Sequence, residues 1–451
     1  GEGSTGSLTN IVQNEMFDFG CNEQDFIKEC DATIKLGIKH IGWNEDPSKF
    51  YYGPIDGSPT SNDRCDIVFQ HALGYRDQEL LHLATELGYK IHHNKNSFVQ
   101  VNGNHAYHFD AHKVGQYFKK ICNTVTHIDS EVEHVQLDSE SGFVSSVKLS
   151  NGETVQGDMF IDASGFNQVL MKAVGGKWKS YKENLPVNGA LPFLLPYEDD
   201  EVIQPVTNAW AQNNGWCWQI PTKNRRGCGY VFSDEFVTPD QAHAELEQTI
   251  GRKVEPIRHI KFDSGRQETL WIKNVLSIGL CAAFAEPLEA TSIHTTIMQL
   301  KHFVYACLGK AQDDTCNIGT VDDYNKKNAH LYDTMKDFLV AHYTCGRKDT
   351  EFWKYINSGA TTTDFVQSMH EVCKHRVPNA TLFPRQEGSA GWPLWSYVLA
   401  GTGALTSQVA EKEVKFNDDE IVGDSAYTYH VTDFDNMSKD LPDNTDYIKG
   451  M

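Results

Sequence analysis

The chain has 451 residues, 40% of them apolar and 11% aromatic, enough for a substantial buried core in about three domains or one large α/β enzyme. Its formal net charge of −21 argues against a nucleic-acid backbone or an anionic membrane as the main partner, while leaving room for an anion at a local site. Its eleven cysteines, scattered and without a C-x-x-C pair, point to neither a metal site nor a disulfide framework and fit a reducing, cytoplasmic setting; no apolar run spans a bilayer and no secretory leader stands at residue 1.

Residues 1–43 open with a Gly/Ser segment, continue in a helical stretch carrying Ile11, Val12, Met16, Phe17 and Phe19, and close in a strand-like run from Ile34 to Trp43. The first six residues spell a formal G-x-G-x-x-G, but a dinucleotide fingerprint needs a strand before it, and here nothing precedes it. Residues 44–64, rich in Pro, Gly and aromatics, read as a loop over a surface or pocket. Helical patterns follow at 77–88 and 110–123. Strands Val132–Leu137 and Phe143–Leu149 flank a Gly-containing turn, and the turn at Asn151-Gly152 leads to a strand ending in Met159–Asp162. Residues 186–235 alternate like a larger sheet and contain G-W-C-W-Q-I-P. A helix at Pro239–Gly251 precedes strands around Ile257–Phe262 and Asn274–Ile278. From 287 to about 410 the pattern is mainly helical, and residues 411–451 form an acidic, polar tail. Strands mixed with crossover helices, then a helical third, predict an α/β enzyme core with a helical C-terminal cap.

The segment Phe284–Thr296, F-A-E-P-L-E-A-T-S-I-H-T-T, places the carboxylate of Glu289 just before a helix with apolar residues at Ile293, Ile297, Leu300, Val304 and Leu308. Pro287 suits the turn, Thr291 or Ser292 suits the N-cap, and the free amides of the first turn can hold a small anion. Trp216 and Trp218, at i and i+2, share one face of a strand. His342 and His294 are set aside as satisfied helical histidines.

Taken in order, G-E-G-S-T-G-S-L at the start, F-D-F at 17–19, A-T-I-K-L-G-I-K-H-I-G-W at 32–43 and Y-H-F-D at 107–110 resemble the flavin-dependent halogenases of the tryptophan-halogenase type. So do F-I-D-A-S-G-F at 160–166, G-W-C-W-Q-I-P at 215–221, S-G-R at 264–266, I-G-L at 278–280, E-P-L-E-A-T-S-I at 286–293 and H-Y-T-C-G-R-K-D-T-E-F-W-K-Y at 342–355. The resemblance implies a flavin-monooxygenase-like α/β fold, with a Rossmann-type FAD domain and mixed sheet over 1–300 and a helical substrate domain over 301–410. It implies FAD, used as FADH2 from a separate flavin reductase, with O2 and a halide. Glu2, Gly3 and Ser4 would form the strap over the flavin, and Leu280 and Ile293 would complete its site. The amides of Thr291 and Ser292 would bind the halide. Hypohalous acid would then reach Lys35, either hydrogen-bonded or as an N-halo amine, and Glu289 would assist by polarising it or by taking the arenium proton. Trp216 and Trp218 would wall the flavin off from a small aromatic substrate, an indole or phenol.

Three departures from the family matter. Family members begin with a strand, a true G-x-G-x-x-G and a helix, whereas this chain starts at the strap, so a truncated sequence is expected. Ala290-Thr291-Ser292 replaces the usual S-T-G, so bromide and iodide are weighed beside chloride. Phe50-Tyr51-Tyr52-Gly53-Pro54 replaces a His and aromatic pair, which passes substrate lining to Tyr51, Tyr52, Trp392, Trp395 and Tyr397. The alternative is a single-component flavin monooxygenase hydroxylating an aromatic; a third class is a non-catalytic flavin or aromatic-ligand binder. Oligomerisation is left open.

Overall fold

A computed structural model describes residues 2–5, 7–12, 20–35, 37–55, 105–199, 201–308, 318–378, 390–406, 408–409, 412 and 444–450. The helical pattern at 77–88, residues Met16, Phe17 and Phe19, and most of the acidic tail lie outside these.

The expected larger sheet has seven strands, in the order Ile260–Lys261, Gly189–Pro196, Arg225–Phe232, Gly215–Pro221, Val206–Gln212, Gly37–Ile41 and Phe50–Pro54. Its pairings are antiparallel except where Val206–Gln212 meets Gly37–Ile41 in parallel. Close packing against this sheet needs glycine at Gly229, where a Cβ would stand 2.1 Å from the Trp218 ring.

The run expected as one strand from Ile34 to Trp43 divides between two sheets. Thr33–Lys35 pairs with Ala106–Asp110, which also pairs with Glu2–Thr5, whereas Gly37–Ile41 joins the large sheet. Side-chain alternation cannot show where a strand changes partners. The consequence is positional: Lys35 ends its strand where the chain passes from one sheet to the other, and it is buried.

Phe160–Asp162 and Val275–Ser277 pair in parallel, each followed by a tight turn, at Gly165–Asn167 and Gly279–Cys281. Asp162 closes the first turn by accepting from the amides of Ser164, Leu170 and Met171 at 3.0, 2.8 and 2.8 Å. The helical part comprises Thr291–His302, Ile318–Tyr343, Glu351–Tyr355, Asp364–Cys373 and Trp392–Gly401. A π-turn at Phe303–Cys307 overturns part of the expected apolar face: it shifts the register, burying Phe303 and Cys307 and exposing Val304 and Leu308. Among the described residues no helix is long and apolar enough to cross a membrane.

Two clamps hold the helices on the sheets. Arg347 bonds Asp349 at 2.7 and 2.8 Å, reaches the Gly42 carbonyl at 3.3 Å and stacks over Trp353, whose Nε1 donates to the Gln212 carbonyl. Arg266 donates to both oxygens of Asp333 at 3.0 and 2.9 Å, and the Tyr181 hydroxyl adds a third bond at 2.8 Å. Burial alone would raise the Asp333 carboxyl, but the bonds from Arg266 and Tyr181 outweigh it and hold it at about 2. A depressed carboxyl stabilises the fold above its ordinary value and loses that contribution as pH falls through the folded one. Asp333→Ala is therefore expected to cost about 2–3 kcal/mol near neutral pH, less than a fully buried pair because Asp333 keeps partial exposure. Urea melts of the two proteins should converge as pH drops from about 4 toward about 2.

The nine described cysteines are all free thiols. Burial pushes Cys30, Cys217 and Cys373 up to about 12 and Cys345 to about 11.

Candidate active site

Pro287–Glu289 forms one 3₁₀ turn, and Ala290 follows in the left-handed region at φ 52 and ψ 36 before the helix starts at Thr291. This corrects the expected cap: Ala290 is the N-cap, no side chain caps the helix, and Thr291 and Ser292 are its first two residues. The hydroxyls of Thr295 and Thr296 turn backward onto the carbonyls of Thr291 and Ser292, so they leave the amides of that first turn unaddressed. A small cavity of about 10 Å³, room for about one water-sized particle, is lined by Thr291, Ser292, Phe284, Ala285 and Gly265.

Two residues back along the chain, Glu289 looks elsewhere. His342 Nε2 lies 2.8 Å from its Oε1, and His40 Nε2 lies 3.1 Å from the same oxygen. His342 Nδ1 lies 2.8 Å from the Phe338 carbonyl, which can only accept. Nδ1 therefore carries a proton, and a further proton must lie between Nε2 and the carboxylate for both bonds to exist. Burial would raise the Glu289 carboxyl, but the approach of His342 and then of His40 wins and holds it far below the carboxylate range. His40 is fully buried, and burial pushes its ring down to about 4 against the pull of Glu289, so it is neutral near pH 7.

Lys35 is 2% exposed; burial lowers its amine to about 8, while the charge of Glu289 opposes that shift. The structure thus brings the two predicted catalytic groups within electrostatic reach of each other, from the end of one strand and the turn before one helix.

Trp216 and Trp218 stand side by side with ring centroids 6.1 Å apart, and Trp216 continues through Trp43 (6.3 Å) to Trp353 (5.7 Å). Behind Trp216 and Trp43, the Tyr343 hydroxyl donates to Glu286 at 2.8 Å, and burial pushes the Glu286 carboxyl up to about 8 against that bond. Glu286 is accordingly a neutral acid near pH 7, whereas Glu289, one turn on, is ionised.

The aromatics expected to line a substrate site are placed unequally. Tyr51 stacks on His40 at 4.7 Å and 12°, and its other neighbour is Gly401, where a Cβ would stand 2.2 Å from the ring. Its hydroxyl is buried without a hydrogen-bond partner among the described residues. Tyr52 points to the opposite face of the same strand, beside Phe50 and Lys39. Trp395 packs between Phe338 and Phe365 at 5.3 Å from each, Tyr397 is buried, and Trp392 is half-buried.

For a flavin, the observation that counts is the crevice off the ends of the parallel pair, where ligands of open α/β sheets bind. Gly165 and Gly279 sit there at φ 66 and φ 60. A Cβ at Gly165 would meet nothing within 4 Å, and one at Gly279 only the Thr296 hydroxyl at 3.9 Å, so the space beside both is open. Ile161, Phe166 and Leu280 present exposed apolar surface. Ile293 is half-buried on the adjoining helix. Glu2 and Ser4 lie on the strand Glu2–Thr5, which rests against that helix, and Gly3 packs so closely on Phe109 that a Cβ would meet the ring at 2.2 Å. A flat apolar ring system fits these residues.

His40 and Glu286 are not singled out from the sequence, and His342, set aside there as a satisfied helical histidine, does bond the Phe338 carbonyl and also meets Glu289. One signal was available: His342 opens the segment already matched to the family.

Comparison with known proteins accords with this geometry. The sequence profile described as tryptophan halogenase matches residues 1–418. Tryptophan 7-halogenase RebH of Lentzea aerocolonigenes is 31% identical over 383 residues, covering 76% of this chain and 69% of RebH. Tryptophan 6-halogenase ThaL of Streptomyces albogriseolus is 29% identical over 407 residues, covering 81% of this chain and 73% of ThaL. Among solved structures, Tar14, a tryptophan C-6 flavin-dependent halogenase from taromycin biosynthesis, superposes with a TM-score of 0.86 at 26% identity, covering 100% of this chain and 91% of Tar14. By profile, relatives and fold alike, the chain belongs to the tryptophan halogenase family and is a flavin-dependent halogenase, an oxidoreductase that uses FADH2.

Proposed function

We propose that this halogenase holds a halide at the amides of Thr291 and Ser292, passes the oxidised halogen to Lys35, and places it on an indole- or phenol-type ring with Glu289 moving the protons. The observation that carries the reading is a buried Lys35 lying in the field of the half-buried, ionised Glu289. When bound, FADH2 with O2 supplies the oxidation of halide to hypohalous acid; Gly3, Leu280 and Ile293 would hold it, with Glu2 and Ser4 in the strap. A separate reductase supplies the reduced flavin, and tryptophan, named for the relatives, is one candidate substrate.

The proton balance follows from Glu289 and His342. Hypohalous acid held at Lys35 gives its halogen to a ring carbon, and the hydroxide left behind takes the proton shared by Glu289 and His342 and leaves as water. The arenium carbon then returns a proton to Glu289, so the pair ends the cycle as it began. His40 stays neutral beside them and orients the carboxylate. Trp216 and Trp218 exclude the organic substrate and bulk water from the halide chamber.

The test is mass spectrometry of an aromatic panel incubated with FAD, a reductase, NADH and each halide in turn. A halogen isotope pattern in a product is expected, with bromide incorporated ahead of chloride at equal concentration because Ser292 reshapes the anion site; exclusive chlorination would refute that preference. A second expectation concerns pH. Holding hypohalous acid by a hydrogen bond needs the ammonium form, so with an amine value of about 8 single-turnover product formation should hold to about pH 7 and fall as pH rises past about 8. A rate that climbs over the same range would favour nucleophilic capture by the free amine instead.

A further inference from the structure

We propose that His40, Glu289 and His342 form a binding site for one borderline divalent cation of the zinc type, whose occupation blocks halogenation. Each residue offers one ligand atom, and the three atoms lie within 4.8 Å of one another. Two imidazole nitrogens and one carboxylate oxygen are a donor set that zinc accepts while keeping one coordination position open.

Further features point to a metal. The His342 Nδ1 bond to the Phe338 carbonyl fixes the tautomer and turns Nε2 toward Glu289, which is how backbone carbonyls brace metal-bound histidines. His40 is fully buried, its Nδ1 has no hydrogen-bond partner among the described residues, and its Nε2 approaches the shared oxygen at 3.1 Å. The ring is held from both sides, stacked on Tyr51 and edge-on to Trp43. The three ligands come from a strand, a 3₁₀ turn and a long helix, so their spacing is set by rigid elements. To match ligands at ~2.0–2.2 Å around a tetrahedral ion, the separations of 2.8 and 3.1 Å to Glu289 open by roughly half an ångström or less and the two histidine nitrogens, within 4.8 Å, settle at ~3.4 Å. Lys35 is the opposing charge within reach of His40, and it weakens the site without removing a ligand.

Coordination would occupy the oxygen that otherwise handles the shared proton, so metal and turnover compete. Binding is independent of the halogenation reading and is measured without it, on the chain stripped with EDTA and free of flavin and halide. Cobalt(II) titration followed by visible absorption should show one saturable equivalent in a four-coordinate site, displaced by zinc. His40→Phe keeps the stack on Tyr51 and should weaken binding at least about tenfold; if it does not fold, Glu289→Gln serves in its place. In the loaded halogenase, zinc should stop product formation and EDTA restore it. No saturable cobalt spectrum, or equal affinity in wild type and the folded variant, overturns the proposal. Metal binding in a chain that never forms a carbon–halogen bond would keep this site and sink the functional reading instead.

Discussion

Lys35→Ala is expected to cut halogenation by on the order of 10³-fold or more while leaving consumption of reduced flavin by O2 unchanged. The oxidant would still be made at the helix start, but nothing would hold it beside the ring to be halogenated, so it would diffuse away or be quenched. Removing most of a side chain only 2% exposed also leaves a void, so loss of activity could be confused with loss of fold. Lys35→Met removes that ambiguity, because it keeps most of the volume and deletes the amine. Product measured by mass spectrometry should vanish in both variants while hypohalous acid, trapped by a soluble scavenger, persists. Unchanged product from Lys35→Met would end the account.

Glu289→Gln should lower the rate by about 10²–10⁴-fold. The amide keeps the shape of the carboxylate and can donate to the Nε2 of His342, so the pair survives but carries no movable proton. Both halves of the proton balance then fail: the departing hydroxide has no donor and the arenium has no acceptor. Deprotonation should become rate-limiting, so a substrate deuterated at the reacting carbon should show a primary isotope effect in the variant and little in the wild type. Absence of that effect, with a rate near wild type, would remove Glu289 from the chemistry.

The sequence offers these two residues as candidates because each lies inside a short run whose order along the chain is distinctive: Lys35 in A-T-I-K-L-G-I and Glu289 in E-P-L-E-A-T-S-I. Alternation in 186–235 likewise announces the strands of the large sheet. What escapes is whatever depends on three-dimensional meeting. His40 and His342 converge on Glu289 from a strand and a helix far apart in the chain, and neither periodicity nor spacing links them. The passage from one sheet to another just after Lys35 has no local mark, because burial runs on from the first strand into the start of the second. Tyr51 and Tyr52 are chemically alike, and only the pleat sends one toward His40 and the other away. Val304 and Leu308 fit a helical stripe until one extra residue in a π-turn rotates them outward.

A catalyst that generates a strong electrophile in its own interior is exposed to it before any substrate is. Thiolates, not thiols, are the forms most readily attacked. With Cys30, Cys217, Cys345 and Cys373 held protonated far above neutral pH, the molecule keeps its sulfur in the less vulnerable state. Cys122, the one described cysteine that is not buried, is where self-inflicted damage should first register as the preparation ages.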